Sequence, residues 1–322
     1  MSAPVTMLAR AEAYIAERHR LGFALDRSGN LTLAFARFAD ASGHEGPLTS
    51  AIVLRWAKEQ AMYADPFTWA RRLNVLRPFA HHLADADPGT TFPKGSPFGR
   101  GKRRLAPHIF TPAEVDAIIA AARALRPVFG ASSSTLATLL GLLAATGLRI
   151  SEALGLRCAD FDEAASRITV RHSKFQRTRI VPLHPTATAA LRDYMRTRAK
   201  FGPTDHSAPL FLKRSSSEAL GYGAVRRAWL QLTADLAIVP RGGHRFVRIH
   251  DLRHTFICRR LLLWQAEGAD IDNTMLALST YVGHVNLGDT YWYLQAVPEL
   301  MAPAGDRFEV FASQQIGEAL RG

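Results

Sequence analysis

The feature that most limits how this chain can fold is a break. Residues 88–110, PGTTFPKGSPFGRGKRRLAPHIF, are crowded with Pro and Gly and carry the basic run Lys102-Arg103-Arg104. Pro lacks a backbone donor and Gly loses the most freedom on ordering, so the stretch continues neither helix nor sheet. The two sides must therefore bury separate cores, and 322 residues are enough for both. The expected organisation is a first module over 1–90, a basic linker over 91–106, a second module over 107–311 and a tail over 312–322. A positive strap between two modules is suited to closing around a duplex, and it is equally an ordinary solvated hinge.

The first module reads as four helices with no strand. Leu8, Ala11, Tyr14 and Ile15 form one helical stripe, and Leu33, Phe35 and Phe38 a second. Thr49 or Ser50 caps a third helix through Ile52, Val53, Leu54, Trp56 and Ala57. Asp65-Pro66 opens a fourth, with Trp69, Leu73, Leu76, Phe79 and Leu83 inward and Arg71, Arg72 and Arg77 available either to phosphates or to solvent.

The second module opens on Thr111-Pro112-Ala113-Glu114, an N-cap, a Pro at the first helical position and a capping-box Glu. A helix to about Leu125 follows, then one over Ser134 to Ala145 that stops at Thr146-Gly147. The next helix starts at once and puts Arg149 at its N-terminus, where an anion is also favoured. Residues 167–171 and 178–183 read as two strands of a hairpin whose basic tip holds Lys174. Further helices run from His184-Pro185 through Arg198, from Tyr222 to Leu236, from about Arg248 to Gln265, from Asp272 to Val282, up to Tyr293, and from Pro298 to Phe311. Leu210-Phe211-Leu212 is expected to be a small strand. The fold class is mainly α (α+β): a helical module followed by a mostly helical one with a small antiparallel sheet.

Charge narrows the partners. A net charge of +12 and a pI near 10.3 point to a polyanion, with nucleic acid first. Cys158 and Cys258 have no CxxC or His neighbour, so buried thiols are expected rather than a disulfide or a zinc site. The N-terminus carries charge too early for a signal peptide, and no apolar run reaches the roughly 20 residues that cross a bilayer. A cytoplasmic protein with no membrane contact is expected.

The chemistry concentrates in VGHVNLGDTYWY, Val282 to Tyr293. Gly283 lets the chain bend, and a short helix then aims His284 and Tyr293 at one target. A phenol, with a pKa of about 10, needs an electrophile held and polarised beside it. Arg149 and Arg253 provide planar forks for phosphate oxygens. His250, three residues before Arg253, shares its helical face, whereas Asp251 and His254 point elsewhere and His254 reads as structural. Lys174 adds a mobile ammonium. Together these groups suit a phosphodiester, and no Asp/Glu cluster sits at cation spacing, so no metal and no cofactor are expected.

At this point the sequence resembles the tyrosine recombinase family, the phage integrase and Xer-like enzymes. The carriers are ATGLRISEALGL around Arg149, SKFQRTRIVPL with Lys174, IHDLRHTF with His250 and Arg253, and VGHVNLGDTYWY ending in Tyr293. They span about 107 to 311, while residues 1–90 match only in helix pattern. Val282 stands where the family more often has Leu. The resemblance implies a helical, SAM-like core-binding domain followed by a catalytic domain. It also implies attack by Tyr293 on a DNA phosphate to give a 3′-phosphotyrosyl bond and a free 5′-hydroxyl, without ATP. Lys174 is then the general acid and His250 a general acid/base, and Arg149, Arg253 and His284 hold the phosphate. Glu152 orients Arg149, and Tyr291 is a poorer alternative nucleophile. A homo-tetramer on two double-stranded sites is implied, with a C-terminal segment including Phe308, Val310 and Phe311 docking on a neighbour. A type IB topoisomerase or telomere resolvase shares the chemistry, and a DNA-binding protein that never cuts is the rival from another class.

Overall fold

The computed structural model describes residues 5–59, 61, 65–99, 104–126, 130–171, 178–200, 202–214 and 216–296. The chain divides into two compact units between Arg104 and Leu105.

The first unit contains α1 (Met7–Arg20), α2 (Asp26–Ala41), α3 (Ser50–Glu59) and α4 (Pro66–Ala86). Local chemistry sets several of the ends. Thr6 caps α1 by accepting from the Ala9 N–H, and the Asp40 carboxylate accepts from the N–H groups of Met7 and Leu8. Asp65 caps α4 ahead of Pro66. Phe35, Val53, Trp56, Leu76 and Phe79 make the core, all essentially without solvent contact. Each of the three arginines of α4 lies near an aromatic ring, and Arg71 stays exposed. The Arg72 guanidinium lies 3.7 Å from the Trp56 ring centroid and donates to the Trp56 carbonyl. Arg77 donates to the Gly95 carbonyl and stands over Phe92, and Arg71 stands over Phe67.

The second unit holds α5 (Pro112–Ala124), α6 (Ser133–Thr146), α7 (Ile150–Leu154), β1 (Phe161–Asp162), β2 (Arg167–Val170), β3 (Arg179–Pro182), α8 (Pro185–Arg198), α9 (Tyr222–Asp235), α10 (His250–Ala266), α11 (Ile271–Val282) and α12 (Gly288–Ala296). The expected capping box forms: Thr111 accepts from the Glu114 N–H and Glu114 from the Thr111 N–H. The hairpin forms in antiparallel register, Ile168 opposite Val181 and Thr169 opposite Ile180. The third strand of the sheet is Phe161–Asp162, not Leu210–Leu212. Residues 209 and 212 make only isolated bridges, to Arg157 and Ala219. Leu210, Phe211 and Leu212 are buried all the same, with Phe211 stacked on Tyr194 of α8, so their apolarity signals core rather than strand.

Apolar α6 is the central helix, packed against α5, α8 and α10, with Leu136, Leu139, Leu140 and Leu143 all buried. A second cluster joins Ile257, Cys258 and Leu261 of α10 to Met275, Leu278 and Val282 of α11 and Tyr293 of α12. It welds α10, α11 and α12 together. Cys258 is buried, as expected of a structural thiol, whereas Cys158 is only half-buried. The expected helix over 298–311, the tail, and Lys174 lie outside the described residues. Among the described residues no helix is long and apolar enough to cross a membrane.

Candidate active site

The site is built around the C-terminus of α11. A helix end leaves its last carbonyls without internal partners. Gly283, at φ 72°, turns the chain left-handed there. Its N–H donates to the Thr280 carbonyl and the His284 N–H to the Ser279 carbonyl, the two bonds of a Schellman cap. The next three carbonyls are each taken by an arginine from a different element. Arg179 Nε of β3 donates to Tyr281 O at 2.9 Å, Arg253 Nη2 of α10 to Val282 O at 2.8 Å, and Arg149 Nη2 to Gly283 O at 3.1 Å. Cations also suit the negative end of the helix dipole.

Each arginine is fixed a second time. Arg149 caps α7, and Glu152 at the third helical position accepts both its backbone N–H and its Nη1, at 3.0 and 2.8 Å. Glu152 also accepts two bonds from Arg179, at 3.0 and 2.8 Å. Burial alone would raise the Glu152 pKa. The hydrogen bonds and charge of Arg179, with those of Arg149, more than reverse this and hold it down to about 2. Arg253 is 2% exposed and also donates to the carbonyl of Gly147, the residue that ends α6. Burial, then Arg149, lowers its pKa to about 9, which leaves it cationic at neutral pH.

The histidines surround this cationic corner. His284 bonds through Nδ1 to the buried Thr290 hydroxyl at 2.6 Å, which fixes its ring. Desolvation, then Arg253 and Arg149, push its pKa down to about 3. His250 opens α10 with an exposed surface. Its pKa is pushed down to about 4, by desolvation in the crowded cleft first and then by Arg253, Arg248 and Arg149. Asp251 is wholly buried and anchors this helix start by accepting from the backbone and guanidinium of Arg248.

Tyr293 packs with its ring parallel to that of His284, 6.4 Å between centroids and 6° between planes. It is 3% exposed, and its hydroxyl lies 2.6 Å from Nδ1 of His254. The histidine beside the phenol is thus His254, not His250. It does not point away from the site: one helical turn from His250, its ring meets that ring edge-on at 4.7 Å. Tyr291, the alternative, packs partly buried against the last cluster.

The fold therefore brings Arg149, Arg253, His284 and Tyr293 to one corner, with His250 at its edge. Arg179 and His254 are the residues that sequence reasoning did not place there. A signal existed for each. Strand alternation puts Arg179 on the face of buried Val181, and an inward Arg needs an acid. His254 is four residues after His250, a spacing that shares a helix face as surely as three does.

Residues 108–299 match the phage integrase family. A putative integrase/recombinase, y4rB of Sinorhizobium fredii, is 32% identical over 307 residues, covering 92% of this chain and 95% of its own length. Tyrosine recombinase XerD of Caulobacter vibrioides is 29% identical over 237 residues, covering 74% of this chain and 73% of its own. In fold, the chain is similar to the Tn1549 transposon integrase solved with a circular-intermediate DNA: TM-score 0.65, 19% identity, 90% of this chain and 95% of that one. It is similar also to the XerH recombinase bound to its difH substrate, at TM-score 0.63 and 15% identity over 86% of this chain and 78% of that one.

Proposed function

The chain belongs to the phage integrase family and is a tyrosine-type site-specific recombinase, and on that premise we propose that Tyr293 cuts and rejoins DNA at paired recombination sites through a 3′-phosphotyrosyl intermediate. The observation that carries this reading is the meeting of Arg149 and Arg253 on adjacent carbonyls of the turn that bears His284, with Tyr293 stacked on that histidine.

A scissile phosphate carries one negative charge, and about two as the fifth oxygen joins phosphorus. Fixed cations favour the second state over the first. Arg149 and Arg253 supply them, and their bonds to carbonyls and to Glu152 hold the forks in place before substrate arrives. With the Thr290 hydroxyl donating to Nδ1, neutral His284 presents Nε2–H to a phosphate oxygen. Lys174, between β2 and β3 in the chain, protonates the departing 5′-oxygen. His250 contacts the phosphate edge of the site as a further donor or proton carrier. The phosphotyrosyl ester conserves the bond energy, so rejoining needs no ATP, and the residues named do the work without a metal. The net charge of +12 suits a double-stranded DNA partner. Solved relatives in complex with recombination-site DNA support the same partner, and two sites brought together call for a homo-tetramer.

The test is covalent capture. A pool of nicked duplexes with a randomised core is incubated with the protein in EDTA, and DNA that stays attached after denaturation is sequenced. A defined site should emerge, the adduct should vanish in Tyr293→Phe and persist in Tyr291→Phe. Failure to capture any duplex, or an adduct that survives Tyr293→Phe, removes the proposal. Relaxation of every supercoiled plasmid without a preferred site would reassign the chemistry to a topoisomerase.

A further inference from the structure

His254 holds no phosphate and protonates no leaving group, yet its Nδ1 is the nitrogen against the Tyr293 hydroxyl, at 2.6 Å. The two rings lie 5.4 Å apart and tilted by 48°, the Trp292 ring flanks His254, and Tyr293 is almost entirely enclosed. This is a built contact between an imidazole and the proposed reacting atom, on the helix that also supplies His250 and Arg253. We infer that His254 is a catalytic residue: it takes the Tyr293 proton as the phenolic oxygen bonds to phosphorus. The inference rests on Tyr293 being the nucleophile.

The charges that face His254 fix its state. Its pKa is pushed down to about 2, by desolvation first and then by His250, Arg248, Arg253 and His244. From α12 it meets the Tyr293 hydroxyl and the Trp292 ring. The ring is therefore neutral, and a neutral imidazole has one acceptor nitrogen. With Tyr293 donating, that nitrogen is Nδ1 and the ring proton sits on Nε2. In cleavage the Oη–H bond breaks and an Oη–P bond forms. The proton moves to Nδ1, and the P–O5′ bond breaks with its electron pair on O5′, which is protonated by Lys174. Rejoining reverses each step, and His254 returns the proton to the phenolate. Against these charges alone His254 is too weak a base to draw the proton. A DNA phosphate held at Arg253 offsets part of the positive charge that weakens it. The nucleophile is thereby activated only when substrate is present.

The duplex captured on the wild-type protein serves as probe, in two forms: with the ordinary 5′-oxygen and with sulfur at the bridging 5′ position. Thiolate leaves without protonation, so sulfur rescues a missing leaving-group acid and nothing else. In His254→Phe, adduct formation should slow about a hundredfold or more on both forms, with duplex binding unchanged. In His254→Asn the side-chain oxygen can accept from the hydroxyl but cannot take its proton. Its rate should climb about tenfold per pH unit on the alkaline side, as phenolate must form without help, where the wild-type rate is level. Wild-type rates in both variants, rescue of either by sulfur, or equal loss of binding and cleavage would overturn the assignment. An adduct that survives Tyr293→Phe, or none on any duplex, would instead overturn the reading beneath it.

Discussion

Arg149 and Arg253 donate to neighbouring carbonyl oxygens, those of Gly283 and Val282, at 3.1 and 2.8 Å. One comes from the start of α7 and the other from α10, and the end of α11 is what holds them side by side. The same contacts orient the forks and pin the turn that carries His284, so structure and proposed chemistry are joined in these two side chains.

Arg253→Lys should separate them. An ammonium cannot span the Gly147 and Val282 carbonyls that the buried fork now reaches. One carbonyl is left unpaired, at a cost of about 1–3 kcal/mol, and phosphate stabilisation falls with it. Thermal melting should drop and cleavage should fall about a hundredfold or more. Arg149→Lys, at a side chain 25% exposed, should lose cleavage to a similar extent while melting much nearer the wild type.

Glu152→Gln tests the acid that serves both Arg149 and Arg179. Its folded pKa of about 2 lies below the ordinary 4.5. Its contribution to stability is therefore complete above about pH 5 and disappears as pH falls from there toward 2, with a full size on the order of 3 kcal/mol. The difference in urea stability between wild type and variant should be that large at pH 7 and shrink across this window. Glu114, also held down to about 2, titrates in the same range but cancels in the difference. A difference that stays constant from pH 7 to the acid limit would show that the charge does not matter.

Gly283→Ala places a Cβ at φ 72°, with Arg179 Nη1 only 2.7 Å away. Gly268 has a similar φ of 70° but open space around it. Both substitutions should cost about 1 kcal/mol or more in backbone strain. Only Gly283→Ala should also slow cleavage, because it displaces Arg179 and the turn that aims His284. Melting curves and adduct rates on the two variants check this.

DNA affinity should fall steeply with salt, since a chain of net charge +12 releases counterions on binding. Arg72→Ala should leave that slope nearly unchanged and lower the melting temperature instead, because its guanidinium is spent on Trp56. Binding titrations at several salt concentrations, beside a thermal melt, give both readings.

The sequence by itself determined the local elements, because their causes are local. Thr111 with Glu114 and Asp65 with Pro66 start helices, Gly147 and Gly283 end them, and alternation makes the hairpin. Period alone could not separate the apolar run at 210–212 from a strand, because its burial is decided by tertiary packing, as in the stack of Phe211 on Tyr194 of α8. The order of the motifs also pointed to Arg149, Arg253, His284 and Tyr293, but only as residue types suited to a phosphate. Packing decided that three arginines share one helix end, that Arg179 is among them, and that Glu152 ties two of them together. It decided too that the phenol lies against His254. Helix spacing fixes which side chains of α10 share a face, but which of them meets Tyr293 depends on how α12 lies across that face. The packing of Tyr293 against α10 and α11 sets this, and no local rule contains it.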